Sequence, residues 1–408
     1  MESIRQLFKI GRGPSSSHTM GPFKAAKQFK AQYPDADAFK VTLYGSLSLT
    51  GKGHMTDAVI AEALGENITE IIFDKTTPTP VHPNTMEMIA YKNGEAVGRT
   101  TVYSIGGGSI LYEGQNRAET ETKSIYPHKN FTEIAEYCSN KGIRLSDYVE
   151  EVEGSDIYDY LSDIWLAMEE CIGRGIRTKG ELGGGLHLTR KASYLYNQRH
   201  IDESAQTREN RLVCAYAFAV GEENASGGEI VTAPTCGACG VLPAVLKYMQ
   251  EQKGFSDEQV LRALATGGLI GNIIKTNASI SGAECGCQAE IGTACSMAAA
   301  ALAELFGMGI EQIEYAAEVA MEHHLGLTCD PINGLVQIPC IERNAVAAMR
   351  AINALSLANF LTSMSMIPFD TVVKTMYETG IHLKSEYRET SEGGLAKHYV
   401  NHCGEPIT

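Results

Sequence analysis

The sequence is short of positive charge. Lys and Arg number 34 against 49 Asp and Glu, so the formal net charge is −15 at pH 7. Nucleic acids and anionic membrane surfaces bind basic patches, so we expect neither as a partner. The remaining composition, 44 % hydrophobic and 20 % charged over 408 residues, is that of an ordinary soluble protein with room for two or three domains.

The sequence also lacks a clear candidate for a transmembrane helix or a signal peptide. The Ala-rich stretch 298–305 is too short to span a bilayer, and it contains Glu304. Residues 1–6 show no basic segment followed by an apolar core, so no signal peptide is predicted. We therefore expect a cytoplasmic protein.

Cysteine is absent from the first 137 residues, although the chain contains eleven. An odd number of cysteines in a cytosolic chain of this size does not indicate a disulfide framework. The chain therefore has a cysteine-free front part and a cysteine-rich back part. A metal or redox site is expected in the back part.

Strand patterns are confined to the front part of the chain. Alternating apolar residues predict strands near 39–43 and 70–73, and a hairpin over 88–104 that turns at Asn93-Gly94.

Helical spacing dominates from residue 132 onward, and Ser256 with Gln259 has the form of a capping box. The sequence thus predicts a two-domain fold. An N-terminal α/β domain is expected over 1–125 and a larger all-α domain over 132–408.

Two loops of the front part contain candidate site residues. Ser15 and His18 belong to a Ser-rich cluster before a helix, which is either a simple N-cap or a carboxylate-binding helix start. His54 follows a Gly-rich segment and precedes a helix over 57–64. This position favours an accessible imidazole, and a loop histidine without a function is the alternative.

Three cysteines of the back part, Cys287, Cys329 and Cys340, are predicted to lie in polar turns marked by Gly and Pro. Cysteines kept for packing usually lie in apolar periodic segments, so these three are candidate metal ligands. Their spacing differs from a ferredoxin-type run. Soft sulfur ligands favour an iron–sulfur cluster or zinc, and scattered core cysteines remain the alternative.

Cys236-Gly-Ala-Cys239 has the spacing of a zinc or redox motif. A second CxxC is absent, and no thioredoxin-like βαβ pattern surrounds the first. Packing of these two thiols at a helix start is therefore the favoured interpretation.

Seven motifs occur in order along the chain. They are Gly13-Pro-Ser-Ser-Ser-His-Thr19, Tyr44 to His54, Tyr103-Ser-Ile-Gly-Gly-Gly108, Asn277 to Glu284, Gly326-Leu-Thr-Cys-Asp-Pro331, Val336 to Asn344 and Tyr387-Arg-Glu-Thr-Ser391. With these motifs the sequence closely resembles, over nearly its whole length, the bacterial iron–sulfur-dependent L-serine dehydratases (L-serine ammonia-lyases) in their single-chain form.

The resemblance implies an enzyme that converts L-serine to pyruvate and ammonia without pyridoxal phosphate. It implies a 4Fe–4S cluster, an α/β front domain and a helical back domain that carries the cluster. We also expect a homodimer.

Residue by residue, the resemblance makes Cys287, Cys329 and Cys340 the cluster ligands. It implies that Cys403 caps the fourth iron until substrate displaces it, although five residues follow this cysteine where relatives end almost at once. Cys236 replaces an asparagine of the family motif, and Cys285 is an additional neighbour of Cys287. Either thiol is a bystander or a competing ligand.

The resemblance also suggests a division of chemical roles. The open iron polarises the C–O bond of serine while a base removes the α-proton. His54 is the candidate base, and His18 is the second candidate or an orienting residue. We expect Ser15, Thr56 and Asn277 to form hydrogen bonds with the substrate. Arg343 or Arg388 is expected to bind the carboxylate of the substrate.

Because these residues come from both parts of the chain, the site is expected at the domain interface. Two rival interpretations remain open. One is a zinc hydrolase that uses the same thiols, and the other is a serine sensor or redox switch with a regulatory cluster.

Overall fold

A five-stranded mixed sheet organises the front part of the molecule. The computed structural model describes residues 1–115, 124–199 and 201–399. Strand order is β3-β2-β4-β5-β6, and only the β2–β3 pair is parallel. The strands are β2 (Ala38–Tyr44), β3 (Thr69–Asp74), β4 (Thr85–Lys92), β5 (Glu95–Gly106) and β6 (Ser109–Tyr112).

The strand register follows from simple sequence signals. Burial alternates along β2, as expected for a strand with one face on the core. The β4–β5 hairpin turns at Asn93 and Gly94, which both have positive φ, so the turn predicted from the Asn-Gly pair is confirmed.

Helices cover one face of this sheet and enclose a separate apolar core. They are α1 (Gly21–Gln32), α2 (Gly45–Thr50) and α3 (Thr56–Leu64). Phe29 of α1 packs on Phe39 of β2, with the buried Val41, Leu43 and Ile60 in the same core.

The back part is helical within the described residues, apart from strand β7 (Glu229–Val231). Its helices are α4 (Phe131–Lys141), α5 (Leu145–Glu153), α6 (Ile157–Arg177), α7 (Ala192–Asn197), α8 (Ala205–Ala225), α9 (Val241–Lys253), α10 (Asp257–Asn277), α11 (Gly282–Cys285), α12 (Thr293–Leu305), α13 (Ile310–Glu322), α14 (Cys340–Leu361), α15 (Phe369–His382) and α16 (Gly394–His398). The two-domain architecture predicted from the sequence is confirmed.

Helices α10 and α12 form the centre of the helical part. Every residue of α12 is buried. A Cβ at Gly267 of α10 would lie 3.0 Å from the carbonyl oxygen of Met297 in α12, so the two backbones are in close approach. The Ser256–Gln259 capping box opens α10, as the sequence predicts. Small residues therefore allow the tight packing of this pair.

The N-terminal segment belongs with the helices rather than with the sheet. Ile4, Leu7 and Phe8 are buried in the helical core. Strand β1 (Ile10–Arg12) pairs antiparallel with β7, and Thr232 Oγ1 donates a hydrogen bond to the Leu7 carbonyl. The chain thus passes from the helical part into the α/β part immediately before the Ser-rich loop, which ties this loop to both.

One stretch of the described chain, Cys340–Met364, is long and apolar enough to cross a membrane by length and composition. Within its apolar window 39 % of the residues are buried. Its helix α14 packs against α8, α12 and α13.

Candidate active site at the interface of the two parts

The three predicted metal-ligand thiols line a single cavity. Cys287 follows α11, Cys329 lies in an extended segment between α13 and α14, and Cys340 is the first residue of α14. Gly286, with φ of +73°, turns the chain immediately before Cys287. The sequence placed Cys340 in a turn, but the helix begins at this residue directly after Pro339. Segments far apart in sequence therefore bring three sulfur atoms together.

Charge around the thiols favours a thiolate at Cys287. A hydrogen bond from Cys329 and the nearby Arg343 guanidinium lower the pKa of Cys287 from its usual value. Burial raises the pKa of Cys340. Arg343 is fixed by hydrogen bonds from its guanidinium to the Thr328 carbonyl at 2.6 Å and to Asp330 at 3.3 Å. Its positive charge thus lies permanently beside the sulfur atoms.

Glu290 is a cavity residue that the sequence analysis missed. Its carboxylate lies with the sulfur atoms of Cys287 and Cys329 in a group whose ligand atoms are all within 4.8 Å of one another. Thr235 Oγ1 donates to Glu290 Oε2 at 2.5 Å, and burial raises the pKa of the carboxyl. No sequence pattern around Glu290 distinguished it from the other acidic residues of the chain.

Two stacked imidazoles lie at the cavity, and one of them lines it. The rings of His18 and His54 lie with their centroids 4.5 Å apart, and both side chains are almost fully buried. His54 also lines the cavity of the three thiols. Burial lowers the pKa of His54 to about 4 and that of His18 well below its usual value. Both rings are therefore neutral near pH 7.

Hydrogen bonds assign the tautomer of each neutral ring. His54 Nδ1 is 2.9 Å from the Thr50 carbonyl, which can only accept, so Nδ1 carries the proton. Ser46 Oγ donates its one proton to the Glu389 carbonyl, so it accepts from His18 Nε2 at 3.0 Å. The unprotonated atoms are thus His54 Nε2 and His18 Nδ1.

Both unprotonated nitrogens face Glu389, a second cavity residue that the sequence analysis did not single out. Its Oε1 lies 3.5 Å from His18 Nδ1 and 3.6 Å from His54 Nε2. Burial, with Glu290 and Cys287 nearby, raises the pKa of its carboxyl well above the usual value. Glu389 lies within the quoted Tyr387–Ser391 motif, so the motif was recognised but this residue was not.

Backbone pairing fixes Glu389 beside the cluster of thiols. Cys329 N–H donates to the Tyr387 carbonyl and Glu389 N–H donates to the Cys329 carbonyl, both at 2.8 Å. Glu389 has φ of +59°, an uncommon conformation for a residue with a side chain. The segment is therefore held in one place from both sides.

The other predicted substrate-binding residues differ in position. Ser15 lines the cavity, and its Oγ accepts from the His18 N–H at 3.0 Å. Thr56 Oγ1 instead donates to the His18 carbonyl at 2.6 Å and is fully buried. Asn277 lies at the end of α10 and donates to the Lys129 and Ile273 carbonyls. Arg388 donates to the Glu284 carbonyl, and its buried Nε has no partner among the described residues.

The remaining cysteines among the described residues do not line this cavity. Cys236 and Cys239 are buried in the helical core before α9, which agrees with packing as the favoured interpretation. Cys285 is buried against Gly380, and burial raises its pKa to about 12. Cys403 lies outside the described residues.

Comparison with known proteins shows the family of this chain. The family model described as serine dehydratase alpha chain matches residues 82–396, and that described as serine dehydratase beta chain matches residues 3–70. The chain belongs to the serine dehydratase family. The alpha-chain match begins just before β4, so the sheet contains strands from both matches.

Curated relatives cover almost the whole chain. L-serine dehydratase 1 of Escherichia coli (strain K12) is 43 % identical over 97 % of this chain and 99 % of its own length. L-serine dehydratase of Haemophilus influenzae is 42 % identical with the same coverage. L-serine dehydratase of Streptomyces coelicolor is 39 % identical over 98 % of this chain and 99 % of its own. The family resemblance noted from the motifs is thus confirmed.

Proposed function

We propose that this protein is an L-serine dehydratase, which converts L-serine to pyruvate and ammonia. The observation that carries the proposal is one cavity in which three thiols of the helical part face Ser15 and His54 of the α/β part. Family membership and the names of the curated relatives support the same substrate.

The donor set of the cavity fits an iron–sulfur cluster with one iron lacking a protein ligand. Among the described residues three cysteines line it, and Arg343 offsets the negative charge that three thiolates would bring. We propose that Cys287, Cys329 and Cys340 hold a 4Fe–4S cluster. When bound, the cluster supplies a Lewis acid for the substrate hydroxyl. The proposed capping role of Cys403 extends this ligand set.

His54 is the proposed base for the α-proton. Its Nδ1 proton is engaged with the Thr50 carbonyl, which leaves the Nε2 lone pair available on the cavity side. Burial keeps the ring neutral near pH 7, so the Nε2 lone pair is not already protonated there. His18, bonded through both ring nitrogens to Ser17 and Ser46, is proposed to orient the stacked His54 ring.

The net reaction balances without an added reactant. The α-proton passes to His54 Nε2, and the C3–O bond breaks with its electron pair on the oxygen, which takes up a proton and leaves as water, giving aminoacrylate. This enamine tautomerises to the imine, whose hydrolysis takes one water back and releases pyruvate and ammonia. Ser15 is the proposed hydrogen-bond partner of the substrate because its hydroxyl lines the cavity. Arg343 and Arg388 remain proposed partners of the carboxylate.

We also propose a cytoplasmic homodimer. Exposed apolar residues lie in the last turn of α14 and just after it, where Phe360, Met364 and Met366 are 74 %, 73 % and 92 % exposed. Such a patch is typical of a protein contact. The ten described cysteines are all free thiols, which agrees with a reducing compartment. Light scattering of wild type and of Phe360→Asp tests the dimer, because only the substitution should give monomers.

An anaerobic preparation assayed for pyruvate from L-serine tests the proposed function. Iron with acid-labile sulfide, together with pyruvate release, is the expected result. Zinc without sulfide would support the hydrolase alternative. Binding of L-serine without pyruvate release would support the sensor alternative, and either outcome would overturn the proposal.

A further inference from the structure

Glu389 has one carboxylate oxygen that no described residue contacts by a hydrogen bond. Oε2 is buried and without a partner among the described residues, and Glu389, whose side chain is 7 % exposed, lines the cavity of the three thiols. A buried oxygen without a partner costs free energy unless a ligand supplies a donor. The carboxylate thus has an unused bonding position on a residue that lines the cavity.

The surroundings of Glu389 suit a cation that donates hydrogen bonds. The lone pair of His54 Nε2 faces Oε1 at 3.6 Å, whereas His18 Nδ1, 3.5 Å from Oε1, already has Ser17 Oγ as a hydrogen-bond partner at 3.0 Å. When Glu389 is ionised, its Oε1 and His54 Nε2 are two acceptors without a donor between them, and they repel each other. A positively charged group with several N–H donors would satisfy this arrangement.

We propose that Glu389 binds the α-ammonium group of the substrate and so selects amino acids over the corresponding acids without an amino group. The inference rests on the proposed function and adds a specificity-determining residue to it. An ammonium at Glu389 supplies the missing donor at Oε2 and the missing positive charge between the acceptors.

This assignment agrees with the connectivity of serine. The ammonium nitrogen and the α-proton are both attached to Cα, so their protein partners must be close neighbours. Glu389 Oε1 and His54 Nε2 are 3.6 Å apart, which meets this requirement. The hydroxyl of serine is attached to Cβ, the next carbon, and can then lie toward the side of the cavity that the thiols form.

The other cavity carboxylate is less suited to this role. Glu290 Oε2 already accepts from Thr235 at 2.5 Å. Its Oε1 is packed so closely that a Cβ at Gly282 would lie 2.3 Å away, and Cys329 Sγ would lie 3.3 Å from the same Cβ. Both carboxylate oxygens of Glu290 are therefore already in contact with residues on the thiol side of the cavity.

The backbone of Glu389 is organised before any substrate arrives. Hydrogen bonds with Cys329 and from Ser46 fix both sides of the residue. Its φ of +59° is an uncommon conformation that these contacts maintain. A fixed carboxylate loses little conformational freedom on binding, which favours affinity and selectivity.

The test compares L-serine with 3-hydroxypropanoate, which differs only in lacking the amino group. Anaerobically prepared wild type, Glu389→Gln and Glu392→Gln are studied. Glu392 is exposed and three residues away, so its variant is a matched control. Affinities come from ligand-dependent shifts in melting temperature with and without bound iron, and KM and kcat come from turnover of L-serine.

Wild type should bind L-serine about tenfold or more tightly than 3-hydroxypropanoate, because a charge-assisted hydrogen bond is lost with the amino group. In Glu389→Gln this preference should nearly vanish, and KM for L-serine should rise by more than kcat falls. The Glu392→Gln control should match wild type. Because both ligands are compared on the same sample, partial misfolding of a variant does not change the ratio.

Three results would overturn the inference. One is a wild type that binds both ligands equally, and another is a Glu389→Gln protein whose preference is unchanged while only kcat falls. The third is a stoichiometric divalent metal beyond the cluster iron that disappears in Glu389→Gln, because His18, His54 and Glu389 would then hold that metal. Selective binding of L-serine without pyruvate release would contradict the proposed function, but it would still support Glu389 as the binding site of the ammonium group.

Discussion

The imidazole of His54 stacks on that of His18 at a centroid distance of 4.5 Å, and the two rings present unprotonated nitrogens to the same carboxylate oxygen of Glu389. The two histidines come from separate loops, 36 positions apart by their numbers, 54 and 18. Each ring has its other nitrogen fixed by a hydrogen bond, to Thr50 or to Ser46. The two rings are thus held together in one arrangement, and His54 of the pair lines the cavity.

His54→Ala should abolish most turnover without loss of the cluster. A general base contributes about 10²- to 10⁴-fold to a rate, so kcat should fall by that factor. Visible absorbance and iron content should stay unchanged, because no thiol is altered. His323→Ala, at an exposed histidine of the helical part, is the control. Substantial retained activity would remove His54 as the base.

Cys340→Ala should lose the cluster. Removal of one of three sulfur ligands leaves too few to retain the iron, so absorbance and bound iron should fall together. Cys214→Ala, on α8 and away from the cavity, should keep wild-type iron content. An unchanged iron content in Cys340→Ala would exclude this residue as a ligand.

On the acid side, the pH at which kcat/KM falls to half its maximum should lie well below the usual pKa of imidazole. Burial lowers the pKa of His54 to about 4, so the ring stays neutral and basic as the pH falls through 6.5. The base form is lost only when the pH approaches the lowered value. We expect kcat/KM to be nearly constant from pH 8 to 5.5. A decline with a midpoint near 6.5 would show that the functioning His54 has an ordinary pKa.

Gly282→Ala should weaken the retention of iron. An added Cβ would lie 2.3 Å from Glu290 Oε1 and 3.3 Å from Cys329 Sγ, so the carboxylate and the sulfur must both shift. Bound iron measured after gel filtration should be lower than in wild type. Gly183→Ala is the control, because nothing lies within 4 Å of the Cβ it would add. Equal amounts of bound iron in the two variants would mean that Glu290 and Cys329 can shift without loss of the metal site.

Thr56→Val separates two roles for a predicted substrate-binding residue. Its hydroxyl donates to the His18 carbonyl, so the substitution should leave that buried carbonyl unsatisfied and reduce stability by about 1–2 kcal/mol. Denaturant unfolding measures this loss. KM for L-serine should change little, since Thr56 does not line the cavity. A large rise in KM with unchanged stability would favour direct contact with the substrate.

Local patterns determined the elements of the fold. Period-two alternation placed β2, the Asn93-Gly94 pair placed the hairpin, and the Ser256–Gln259 box placed the start of α10. These signals act between residues that are close in sequence, so no tertiary contact is needed to recognise them. The same kind of signal failed at Cys340, where Pro339 marks a helix start instead of a turn.

The sequence by itself also determined the family and the chemistry of the candidate ligands, because thiols in Gly- and Pro-rich segments and two histidine loops are local features. Only the tertiary structure decided which polar residues share the cavity. It showed that Glu290 and Glu389 also line the cavity, and that the Thr56 hydroxyl donates a hydrogen bond to the His18 carbonyl. Acidic residues are common and their sequence positions carry no distinctive pattern. Their burial beside sulfur and imidazole arises from contacts between segments as distant as 54 and 389, which no local rule can supply.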